Sequence, residues 1–81
     1  MNIAEFRLDL LRVLQDHEGA HFTEDVARLV EAERRGIPLE EVKHALDGLA
    51  DADLIVWEAR GDHAWRISAI GRDYLASVYP T

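Results

Sequence analysis

Between Leu39 and Ser68 the spacing of apolar residues changes period. Leu39, Val42, Leu46, Leu49 and Ala50 recur at helical intervals and line one side of a helix from about Pro38 to Ala52. Pro38 suits its start, where the missing N–H costs nothing. Two β-like runs follow at once, LIVWE and HAWRIS, separated by ARGD, in which Arg60 and Gly61 suit a tight turn. A helix that feeds straight into a hairpin, in a chain of 81 residues, leaves room for one small core. Residues 1–81 are expected to form a single domain, α+β and mostly helical.

The flanking segments read as helices. Asn2 to about His17 has a capping-box pattern, with Asn2 as cap and Glu5 at the third helical position. Ile3, Phe6, Leu10, Val13 and Leu14 form one apolar face, and Ala4, Leu8 and Leu11 fall on another side. A surface helix has one such stripe. GAHFT, residues 19–23, reads as an extended link or edge strand. Thr23 is placed to cap a second helix that runs on to Arg35, with Gly36 stopping it. Ser68 caps a last helix, Ala69 to about Tyr79, whose apolar face is Ile70, Tyr74 and Val78. The expected core is Phe6, Leu10, Val13, Leu14, Val26, Leu29, Val30, Leu39, Val42, Leu46, Leu49, Leu54, Val56, Ile67 and Tyr74.

This order of elements, with ALDGLADADLI ending the third helix and WRISAIGRDYL leaving the hairpin, resembles the winged helix-turn-helix of MarR-, PadR- and ArsR-type bacterial regulators. The first run resembles the family's "aLxxLxxxGLI", with Asp53 where glycine is usual. The second resembles "YxLTxxGxxYL", filled by Ile67, Ser68, Gly71, Tyr74 and Leu75. The resemblance implies a three-helix core, a two-stranded wing and a C-terminal helix. It also implies a DNA-reading role for helix 38–52, through Glu40, Glu41, Lys43, His44 and Asp47. Wing contacts to phosphate are implied for Arg60, His63 and Arg66.

The charge opposes that role. The net charge is −7, and the third helix carries Glu40, Glu41, Asp47 and Asp51 against Lys43. Phosphate contacts need cations, and base readout favours arginine, lysine, asparagine and glutamine. The outer face Glu40, Glu41, His44, Asp47 and Asp51 is open to two readings: a surface for a basic protein partner, or a solvated face serving solubility. Arg60, His63 and Arg66, with Lys43, could grip phosphate, or Arg66 could stack on Trp57 across the strands. One of Trp57 and Trp65 is expected to be exposed. Ala4, Leu8 and Leu11 with Leu75, Val78 and Tyr79 form either a homodimer face or the seam between first and last helices.

Other classes find little support. There is no cysteine, hence no disulfide framework and no thiolate metal site. His17 and His21 have metal-like spacing, but Gly19 between them breaks a shared helical face. No phosphate loop or nucleophile elbow is present, so no catalytic residue, cofactor or small-molecule substrate is expected. No run approaches the roughly 18 apolar residues of a membrane span. The expectation is a cytoplasmic, non-catalytic bacterial or phage regulator, adaptor or inhibitor. Its partner would be another protein or a second copy of the chain, with dimeric DNA binding as the alternative.

Overall fold

The computed structural model describes residues 3–60 and 62–79, the side chains of residues 3, 4, 59, 60, 62 and 63 excepted. The elements are α1 (Ile3–Asp16), α2 (Thr23–Leu29), α3 (Leu39–Asp51), β1 (Ile55–Arg60), β2 (Asp62–Ile67) and α4 (Ala69–Val78). This is a small α+β fold of four helices and one antiparallel hairpin. The expected Asn2 cap and the Gly61 turn lie outside the described residues.

Helix α1 packs against α2, α3, β2 and α4. That is why it needs apolar residues on more than one side: Phe6, Leu10, Leu11 and Leu14 are all buried, with Leu8 and Val13 packed beside them. From α3, Val42, Ala45, Leu46 and Leu49 complete the centre of the core.

Three chain reversals share one hydrogen-bond pattern. After α2, Glu31 N–H donates to the Arg28 carbonyl and Ala32 N–H to the Ala27 carbonyl. After residues 30–36, Gly36 N–H donates to Glu33 and Ile37 N–H to Ala32. After α3, Asp53 N–H donates to Ala50 and Leu54 N–H to Leu49. Each is a Schellman ending, which places one residue in the left-handed region. Those residues are Glu31 (φ 55°), Gly36 (φ 68°) and Asp53 (φ 63°). Helix α2 therefore stops at Leu29, six residues short of the expected Arg35, because the chain turns left-handed at Glu31. The turn brings Ala32 and Ile37 into the core and leaves Leu29 exposed.

Asp53 occupies a position that glycine fills without steric cost. Asp53→Gly is expected to raise stability by about 0.5–1 kcal/mol, the relief of the left-handed Cβ less the entropy glycine adds to the unfolded chain. Thermal unfolding by circular dichroism measures it. A lower midpoint than wild type would contradict this account of the turn.

The hairpin register pairs Ile55 with Ile67, Val56 with Arg66, and Trp57 with Trp65. Opposed residues share a face, so Ile55, Ile67 and Trp65 face the core while Val56 points out. Of the expected core pair, Leu54 is partly buried against the core and Val56 is exposed, since Ile55 is the residue that goes fully inside. His21 pairs with Trp65 in a single antiparallel bridge, with N–H···O distances of 2.9 and 2.8 Å, so the 19–23 link does lie along the hairpin edge. Thr23 does not cap α2. Phe22 is the cap residue, and the Thr23 hydroxyl accepts the Trp65 indole N–H at 3.1 Å.

Helix α4 begins as expected at Ser68. Gly71 N–H donates to its Oγ at 3.0 Å, and the hydroxyl donates in turn to the Asp53 carbonyl at 2.7 Å. The buried face of α4 is Gly71 and Leu75, not Ile70, Tyr74 and Val78, which are exposed. Gly71 decides the phase. A Cβ there would lie 2.1 Å from the Leu54 carbonyl oxygen, so only a glycine lets α4 come this close to the end of α3.

Candidate interaction surface

With its apolar side in the core, α3 turns Glu40, Glu41, Lys43, His44, Asp47 and Asp51 to solvent, and every one of them is exposed. Among the described residues none of these six is held in an ion pair. Ion pairs among the described residues lie elsewhere, at Arg28–Asp25, Arg34–Glu31 (3.5 Å), Arg35–Asp9 (3.0 Å) and Arg66–Glu58 (2.9 Å). The distribution is lopsided. Much of the positive charge is already matched by neighbouring carboxylates, whereas the α3 carboxylates are not.

The hairpin residues separate. Arg66 sits opposite Val56, on the face away from Trp57, and its guanidinium pairs with Glu58. The expected stack on Trp57 is absent because alternate strand residues point to opposite faces. Trp57 is 52% exposed and lies against buried Trp65 with ring centroids 5.2 Å apart. The side chains of Arg60 and His63 lie outside the described residues. Arg35, beyond the end of α2, is tied to α1 by Asp9 and lies over the Phe6 ring at 5.5 Å.

The candidate dimer face divides in the same way. Leu11 and Leu75 are buried in the core and Leu8 is half-buried, so α4 covers this side of α1. Val78 and Tyr79 remain exposed, with Arg12 over the Tyr79 ring at 5.0 Å. Ala4 falls outside the described side chains. The sequence pattern missed what replaces this face: an exposed stripe of Ile70, Tyr74 and Val78 along α4.

His17 and His21 meet edge to face, 6.2 Å between ring centroids, and His21 Nε2 donates to the His17 carbonyl at 3.0 Å. Among the described residues no group of three or more His, Asp or Glu could hold a metal ion. No described helix is long and apolar enough to cross a membrane.

Gly48 was also missed as a positioning residue. It lies inside α3, where glycine costs about 0.5–1 kcal/mol relative to alanine. The space it leaves is filled by the Arg7 guanidinium, whose Nη2 would lie 2.7 Å from an added Cβ. No protein-family model matches the chain, and no curated protein or solved structure does either.

Proposed function

We propose that the chain is a winged helix used as a non-catalytic protein-binding module, a small cytoplasmic bacterial or phage regulator, adaptor or inhibitor. The observation that carries this reading is the outer face of α3, where Glu40, Glu41, Asp47 and Asp51 stand exposed, outnumber the single Lys43 of that helix, and are in no ion pair among the described residues. Such a face repels the phosphate backbone and attracts a basic protein surface, speeding encounter and fixing orientation. The pairing of Arg66 with Glu58 points the same way, since it weakens the wing as a phosphate clamp.

The alternative is a dimeric DNA-binding regulator using helix 38–52 and the 58–66 wing. The element order favours it, with α3 followed directly by the hairpin. Fluorescence anisotropy with labelled duplex DNA separates the two. The protein-binding reading predicts no saturable binding to duplexes from upstream of its own coding sequence, at about 20 mM or about 150 mM salt. Binding whose affinity falls with salt as several phosphate contacts require, and which weakens in Arg60→Ala and Arg66→Ala, would establish the alternative.

A further inference from the structure

The flank of α3 that faces α1 carries a groove in two halves. The larger, about 690 Å³, is floored by Phe6, Ile37 and Ala45, with Glu41 and His44 on its α3 wall and Arg35, whose charge Asp9 already matches, also on its lining. The smaller, about 300 Å³, is lined by Leu8, Leu54 and Tyr74. Arg7 borders both halves, and its guanidinium rests on α3 at Gly48. Arg7 forms no ion pair or hydrogen bond with a described residue. A guanidinium offers five donors in a rigid fork suited to a carboxylate. Here that fork sits between two compartments with apolar floors, with the Glu41 carboxylate on the wall of the larger.

We infer that this groove takes a short segment of a protein partner, with a carboxylate for Arg7, one apolar side chain on either side of it, and a basic residue at the Glu41 end. The inference rests on the protein-binding reading and names the kind of segment bound. Length argues for a peptide rather than a small anion. From Glu41 to Ala52 the α3 wall extends roughly 16 Å at 1.5 Å per residue, which about five extended residues span. The glycine at Gly48 then has a role beyond the fold. It seats the guanidinium at the level where the two halves meet.

A phage-displayed library of random 12-residue peptides, panned on the immobilised full chain, supplies the probe. The enriched sequences are expected to share a basic residue followed by an acidic residue between two apolar ones. A fluorescein-labelled copy of the best peptide is then titrated by anisotropy. Arg7→Glu is expected to weaken it at least tenfold. Gly48→Ala, which keeps the helix and displaces only the flexible end of Arg7, is expected to weaken it at least threefold with no loss of thermal stability. Failure to enrich peptides, enrichment of sequences lacking an acidic residue, or equal affinity for wild type and Arg7→Glu would each overturn the groove. None of these would touch the outer-face reading, because Glu40, Asp47 and Asp51 lie outside the groove and are tested separately.

Discussion

Gly71→Ala is expected to destabilise the fold by at least about 3 kcal/mol, beyond the usual range for a single added methyl. The added Cβ would sit 2.1 Å from the Leu54 carbonyl oxygen and 2.8 Å from Ile67 Cγ1. The first is a backbone atom whose carbonyl already accepts the Ser68 N–H at 3.1 Å, so it cannot rotate aside. Helix α4 would have to back away from the end of α3. That breaks the Ser68 junction, in which one hydroxyl accepts from Gly71 N–H and donates to the Asp53 carbonyl. The midpoint of thermal unfolding should fall by roughly 12–24 °C for a domain of this size. Ser68→Ala, which removes the cap and the hydrogen bond to the Asp53 carbonyl but leaves the close approach intact, should cost about 1–2 kcal/mol. Equal effects of the two substitutions would show that the close approach at Gly71 is not what fixes α4.

Trp65→Ala is expected to cost about 3–5 kcal/mol, the range for emptying a buried aromatic site. Trp65 is 5% exposed, gives its indole N–H to Thr23, and is paired through its backbone with His21. Losing it opens a void where the hairpin, α1 and the 19–23 link converge. Trp57→Ala should cost only about 0.5–1.5 kcal/mol, the worth of an aromatic pair at an exposed position. Urea unfolding followed by circular dichroism reads both. Should Trp57→Ala prove as costly as Trp65→Ala, the exposed position assigned to Trp57 on the hairpin's inner face would be wrong.

These two positions also show what the sequence made legible. The order of elements follows from the switch between helical and strand spacing, and the Ser68 cap from its place before an apolar-periodic segment. The phases were harder. Leu54, Ile55, Val56 and Trp57 are four apolar residues in a row, so alternation cannot say which pair goes inside; the pairing of Ile55 with Ile67 does. In α4 both the 70/74/78 and the 71/75 sets have helical spacing, and the larger side chains drew attention to the exposed one. Gly71 was the available signal, since a glycine inside a helix marks close approach as readily as weakness. The end of α2 was hidden because Glu31, not a glycine, takes the left-handed conformation.

The candidate site was legible as charge and illegible as pairing. Acidic residues at Glu40, Asp47 and Asp51 on an outer face follow from period alone. That Arg34, Arg35 and Arg66 are matched by Glu31, Asp9 and Glu58 depends on how neighbouring turns and strands meet. The groove beside α3 depends on Arg7 crossing to Gly48, a pairing between residues far apart in sequence that no local pattern announces.

The most direct test of the outer face is quantitative capture with charge-matched variants. One carries Glu40→Gln, Asp47→Asn and Asp51→Asn. The other removes three exposed carboxylates elsewhere, through Glu18→Gln, Glu24→Gln and Glu33→Gln. Both have the same net charge. Immobilised wild type and both variants are incubated with native cell extract at about 150 mM salt, and bound proteins are quantified by mass spectrometry. A basic protein retained by wild type and by the second variant, and lost at least tenfold from the first, is the predicted result. Equal retention by all three, or retention of none, would contradict the proposal that α3 presents its carboxylates to a protein partner.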